Sequence, residues 1–173
     1  MKDLLLVVDM QNDFIGGALG TKEAVEIVPN VKKKIETFDG IVLFTRDTHT
    51  DDYLNTQEGR NLPVKHCIKG THGWQIREEL DALRTTDPID KATFGSSELG
   101  HILLDLNKQY TLSSITVIGL CTDICVISNA MISKAFLPEV PVIVDSTCCA
   151  GVSVETHENA LNAMEVCQIK VIR

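Results

Sequence analysis

No apolar run in the sequence approaches the ~20 residues of a membrane span. The opening stretch, Met1-Lys2-Asp3-Leu4-Leu5-Leu6-Val7-Val8-Asp9, is too briefly apolar for a secretory signal, and Asp9 interrupts it. A CxxC pair, with two residues between its cysteines as a zinc ribbon needs, is missing: Cys121 and Cys125 have three residues between them, and Cys148 and Cys149 are adjacent. Basic residues are in deficit. The formal net charge is −8 and the isoelectric point near 5.0, which opposes nucleic acid or an anionic membrane as partner. No glycine fingerprint follows the first apolar run. Asp9-Met10-Gln11-Asn12-Asp13-Phe14 stands in its place, so a dinucleotide site is excluded and no organic cofactor is expected. Internal repeats, low-complexity tracts and linkers are absent as well.

What is present is enough for a substantial core. A chain of 173 residues, 44% hydrophobic and with mean hydropathy +0.07, reads as one soluble, cytoplasmic domain over 1–173. Six cysteines in such a chain read as thiols rather than bridges. Strand and helix patterns alternate. Strands are expected at 4–8, 41–45, 87–90, 115–118, 140–144 and 168–172. Helices are expected at 22–38, with Pro29 forcing a late start, and at 74–83, 97–107, 127–136 and 154–166. The expected fold is therefore α/β: a doubly wound three-layer α/β/α sandwich on a mostly parallel six-stranded sheet, order 3-2-1-4-5-6. Ligands in such sheets bind beyond the carboxyl ends of the strands, near the switch in strand order. That rule selects Asp9, Asp47 with His49, Lys91, Cys125 and Asp145.

The stretch Gly119-Leu120-Cys121-Thr122-Asp123-Ile124-Cys125-Val126 joins a strand to a helix. Thr122 and Asp123 suit an N-cap, which puts Cys125 in the first helical turn. Backbone N–H groups, the helix dipole and Lys91 are expected to favour a thiolate there, and so a nucleophile. Asp9, at a strand end, is the candidate general base. Lys91 is the candidate charge stabiliser.

Taken together, Val7-Val8-Asp9-Met10-Gln11-Asn12-Asp13-Phe14, Lys91-Ala92-Thr93-Phe94 and the Gly119–Val126 stretch resemble the isochorismatase-like superfamily of cysteine hydrolases, which includes the nicotinamidases. The likeness spans nearly the whole chain. It implies an Asp9–Lys91–Cys125 triad and hydrolysis of a small (hetero)aromatic carboxamide through a thioester. It further implies a cis Leu120–Cys121 bond and an oxyanion hole from the N–H groups of Cys121 and Cys125. Relatives that cleave another amide, a carbamoyl compound or isochorismate, and an inactive binding module, are the alternatives. The resemblance also implies a metal at Asp47, His49 and His66, with Glu58 replacing a histidine; zinc, manganese or iron would suit that set. Phe14, Phe94 and Leu120 are candidate pocket walls, with Trp74 a weaker one. Asp145 is expected to support the neighbouring loop. A homo-oligomer is expected by analogy.

Overall fold

The computed structural model describes all 173 residues. Its centre is β1 (Lys2–Val8), where Leu4 through Val8 are all fully buried. Successive side chains of a strand point to opposite faces, so five buried neighbours in a row mean that both faces are covered. The other strands are β2 (Gly40–Asp47), β3 (Ile89–Lys91), β4 (Leu112–Leu120), β5 (Val142–Ala150) and β6 (Lys170–Ile172). Every pairing is parallel and the order is β3-β2-β1-β4-β5-β6, as expected from the strand–helix alternation.

The helices are α1 (Asn12–Ile15), α2 (Lys22–Glu26), α3 (Val28–Thr37), α4 (Gln57–Asn61), α5 (Glu78–Asp81), α6 (Ser97–Tyr110), α7 (Ile127–Phe136) and α8 (Val154–Val166). The expected 22–38 helix is two. Thr21 caps α2 by accepting from the Ala24 N–H, and α3 begins afresh with Pro29 in its first turn, where a missing N–H costs nothing. Val28, Val31 and Ile35 then share its buried face. Ser96 caps α6 through the Leu99 N–H, and Ser153 and Thr156 form a reciprocal capping box on α8.

Two expectations are corrected. The 74–83 segment is not a helix; only Glu78–Asp81 makes one turn, because the main chain of 73–77 is engaged by the 10–13 segment. Asp145 does not end its strand. β5 runs on to Ala150 through an irregularity in which two steps along β4 match five along β5. Asp145 sits at the start of that irregularity and holds the segment after it, accepting from the Thr147 N–H and hydroxyl and pairing with Lys34 of α3 at 2.9 Å.

The switch in strand order lies between β1 and β4, where Val8 faces Gly119. Gly119 has φ +119°, and a Cβ there would come within 2.1 Å of the Val8 carbonyl oxygen. The two strand ends that carry Asp9 and the 121–125 turn can meet only if this position lacks a side chain. Gly119→Ala should therefore lower the urea midpoint, by about 1–3 kcal/mol in unfolding free energy. An unchanged midpoint would show that β1 and β4 can separate at no cost.

Candidate active site

Asp9 leaves β1 with φ +47°, a left-handed conformation that aspartate tolerates better than most residues. Its carboxylate is fully buried and accepts the Thr45 hydroxyl of β2 at 2.7 Å. Lys91, the last residue of β3, reaches under it, with Nζ 2.6 Å from Asp9 Oδ2. The same ammonium donates to the Thr93 carbonyl at 3.1 Å and to Cys125 Sγ at 3.4 Å, and lies 3.5 Å from Asp47 Oδ1. Asp9, Lys91 and Cys125, far apart in sequence, thus share one buried cluster. Register explains it: Asp47 pairs with Lys91 across β2 and β3, and β1 lies between β2 and β4.

Cys125 belongs to a π-helical turn, Thr122–Val126, that leads into α7. The Leu120–Cys121 peptide is cis. Cys121 is the N-cap residue, and no side chain caps the turn. Thr122 and Asp123 face α8 instead: Thr122 Oγ1 bonds His157 Nδ1, and the Asp123 carboxylate accepts the Val152 N–H. The expectation that either residue caps this helix is therefore corrected.

The expected resting thiolate is corrected too. Burial, together with the negative charge of Asp9, pushes the Cys125 thiol well above the ordinary cysteine value, and Lys91 offsets only part of this. Burial also raises Asp9, against the pull of Lys91 and with the Asp47 carboxylate adding to the rise. Lys91 itself is held protonated: burial would lower its proton affinity, and the charges of the Asp9 and Asp47 carboxylates outweigh that. The resting cluster is a thiol beside a carboxylate with a raised proton affinity, both against a fixed ammonium.

Next to it lies a second cluster. Asp47, His49 and His66 offer ligand atoms within 4.8 Å of one another. Glu58 Oε1 lies 3.6 Å from His49 Nε2 and 3.7 Å from His66 Nε2. His49 Nε2 is buried and has no hydrogen-bond partner, although Asp47 Oδ2 is 2.9 Å away. His66 Nδ1 bonds the Val64 carbonyl at 2.8 Å, an arrangement that leaves its other nitrogen free to ligate. A buried imidazole nitrogen without a partner, facing two carboxylates and a second imidazole, suits a divalent cation.

Tyr53, Gln11 and Thr45 were not singled out from the sequence. Tyr53 is fully buried, with its ring 4.7 Å from that of His49 and 4.9 Å from that of His66, and its hydroxyl donating to the Leu62 carbonyl. The Gln11 amide grips the Asp47 backbone at both N–H and C=O, and also the Trp74 carbonyl. The alternation of β2, which puts Thr45 and Asp47 on one face, was the one available signal for Thr45.

Both clusters open into a cavity of about 610 Å³. Phe14 and Phe94 line it as expected, Phe94 at its rim with 46% exposure. Leu120 does not; its side chain is fully buried in the core, and Cys121 and Ile124 form that wall instead, because the chain turns after the cis bond. Trp74 is also absent from the cavity. Its ring lies under the Arg46 guanidinium at 3.5 Å, and its indole N–H donates to Thr48.

A family model described as the isochorismatase domain matches residues 3–173. The nicotinamidase/pyrazinamidase of Mycobacterium tuberculosis is 28% identical, covering 97% of each chain. The structure of a pyrazinamidase from Pyrococcus horikoshii in complex with zinc superposes with TM-score 0.80 at 26% identity, over 100% of this chain and 99% of that one. The N-carbamoylsarcosine amidase of Thermoplasma acidophilum gives TM-score 0.76 at 29% identity, over 100% of this chain and 96% of that one. With the match running from the third residue to the last, the chain belongs to the isochorismatase domain family.

Proposed function

We propose that the protein is a cysteine amidohydrolase that converts a small (hetero)aromatic carboxamide, such as nicotinamide, to its acid and ammonia. The observation that carries this reading is the buried contact of Cys125 Sγ with Lys91 Nζ, which in turn touches Asp9. Cys125 attacks the amide carbon while Asp9 takes the thiol proton, so the thiolate forms only as it reacts. The N–H groups of Cys121 and Cys125 receive the developing oxyanion. The proton held by Asp9 then goes to the departing ammonia, leaving a thioester on Cys125. Water adds to the thioester, Asp9 takes its proton, and the acid leaves as the thiol is restored. Lys91 keeps its charge throughout and favours the ionised forms of both neighbours.

Asp47, His49, His66 and Glu58 would hold a divalent cation, zinc, manganese or iron. The reading is supported by the unpartnered His49 Nε2 and by the zinc in the Pyrococcus horikoshii structure. When bound, the cation supplies a Lewis-acidic anchor for a ring nitrogen of the substrate. Phe14 and Phe94 flank the ring.

Asp9→Asn should keep the fold, checked by circular dichroism, and lower kcat by ~10²–10⁴-fold. Because burial raises Asp9 above its ordinary value of 3.8, the acid limb of the wild-type kcat profile should lie above that value. Activity is lost as pH falls through it, since a protonated Asp9 cannot accept the thiol proton. A limb at or below the ordinary carboxylate range would refute the raised proton affinity of Asp9.

Metal dependence gives a separate test. Elemental analysis of purified wild-type protein should find a divalent metal that His49→Ala loses. Chelation should raise KM for a pyridine carboxamide while alkylation of Cys125 by iodoacetamide persists. A protein that carries no metal, gains none and ignores chelator would redirect the reading to an amide without a ring nitrogen.

A further inference from the structure

His157 lies outside both clusters, on the first turn of α8, and the reaction as derived makes no use of it. Its Nδ1 nevertheless lies 2.7 Å from the hydroxyl of Thr122, a side chain with no exposed surface. Thr122 stands between Cys121 and Cys125, whose N–H groups are the proposed oxyanion donors. We propose that His157 is a positioning residue for the 121–125 turn, fixing its backbone through the Thr122 hydroxyl.

Three features of the turn make such an anchor necessary. First, its opening bonds share one acceptor. Ile124 and Val126 N–H both converge on the single Cys121 carbonyl, and no side chain caps the start. Second, the polar side chains that would ordinarily cap a helix start are turned outward to α8. Asp123 accepts the Val152 N–H at 3.1 and 3.2 Å, and Thr122 bonds His157. The side chains of the turn are therefore tied at two points to the segment that opens α8, in addition to the backbone bonds within it. Third, that end is itself seated closely. A Cβ at Gly151 would stand 2.9 Å from His157 Cβ and 3.0 Å from its Cα, so only glycine at the end of β5 lets His157 approach this far. The capping box of Ser153 and Thr156 then sets the helical register that aims the imidazole at the turn.

The chemistry of the pair suits a fixed strut. Burial lowers the proton affinity of His157, against the nearby carboxylates Glu158 and Asp123 and with Arg173 adding to the lowering. A neutral imidazole has one N–H and one lone pair, and the threonine hydroxyl can complement whichever Nδ1 presents. Oxyanion donors act through placement, and small misplacement costs rate far more than binding. A loosened turn should consequently lower kcat far more than it raises KM, because Phe14, Phe94 and the metal ligands sit on other elements and stay in place, although Cys121 and Ile124 of the turn form one wall of the cavity.

The proposal rests on the reading of Cys125 as the nucleophile. The test compares His157→Leu, His157→Asn and Thr122→Val with wild type, singly and as the Leu–Val double variant. Asparagine carries a hydrogen-bonding atom near the place of Nδ1, whereas leucine fills the space without one. The expected result is a kcat lowered about 10- to 100-fold in His157→Leu and Thr122→Val, with KM changed far less and metal content held. The double variant should be no worse than either single one, and His157→Asn should recover most of the rate. Wild-type kcat in His157→Leu would overturn the proposal. So would a common loss of kcat, KM and melting temperature in the leucine and asparagine variants alike, which marks bulk packing. Should wild type release no ammonia from any carboxamide, the amidase reading fails separately. The rate of Cys125 alkylation by iodoacetamide then decides: a change in His157→Leu that His157→Asn reverses supports the anchor, and equal rates in all variants remove it.

Discussion

The buried ammonium of Lys91 is the constraint on which the rest of this site depends. A cation taken out of water is very unfavourable unless its donors are met by acceptors and its charge by opposite charge. Lys91 meets both conditions only because three strand ends converge on it. Asp9 comes from β1, Asp47 from β2 and the Cys125 turn from β4, with the Thr93 carbonyl completing its partners. Removing either carboxylate would leave the ammonium's charge less compensated in the core, and removing the thiol or the carbonyl would leave one of its N–H donors without an acceptor. The fold and the chemistry therefore share one electrostatic requirement.

That requirement also orders the protons. Two carboxylates near one ammonium cannot both have their affinities lowered equally. Asp47 is lowered despite its burial, through the close approach of His49 Nε2 at 2.9 Å and the charges of Lys91, His49 and His66. Asp9, buried completely and facing Asp47, is raised. The environment thus separates two like residues into a permanently ionised one among the imidazoles and a proton-accepting one beside the thiol. Asp47 joins the two clusters, since Oδ2 faces the histidines and Oδ1 faces Lys91. Loss of charge at the imidazole side would be felt at the thiol.

Below these clusters, packing fixes distances. Gln11 clamps Asp47 from the backbone, and Asn129 of α7 donates to the Cys125 and Phe94 carbonyls while accepting the Ser96 N–H. A single buried amide therefore ties the loop after Lys91 to the start of α7. No helix is long and apolar enough to cross a membrane, and the cavity opens between these loops rather than inside the sheet.

Much of this was legible in the chain. The five apolar residues before Asp9, the strand–helix alternation and the absence of a glycine fingerprint determined the sheet order and the place of a crevice, because burial on both faces and right-handed crossovers admit few alternatives. Position at strand ends pointed to Asp9, Asp47, His49, Lys91 and Cys125, and the family resemblance supplied their roles and joined Glu58 and His66 of the long loop to them. What the sequence could not determine was anything set by contact between segments distant along the chain. The split at Ile27, the unwound 74–77 segment, Leu120 buried rather than lining, and the roles of Tyr53 and Gln11 all follow from neighbours more than local spacing. The protonation of Cys125 is of the same kind. Its sequence position, at a helix start beside a lysine, favours a thiolate, and only the tertiary structure supplies the opposing terms. Those are complete desolvation and the facing carboxylate of Asp9, which outweigh the dipole and the ammonium because an unshielded negative charge is most costly where water is excluded.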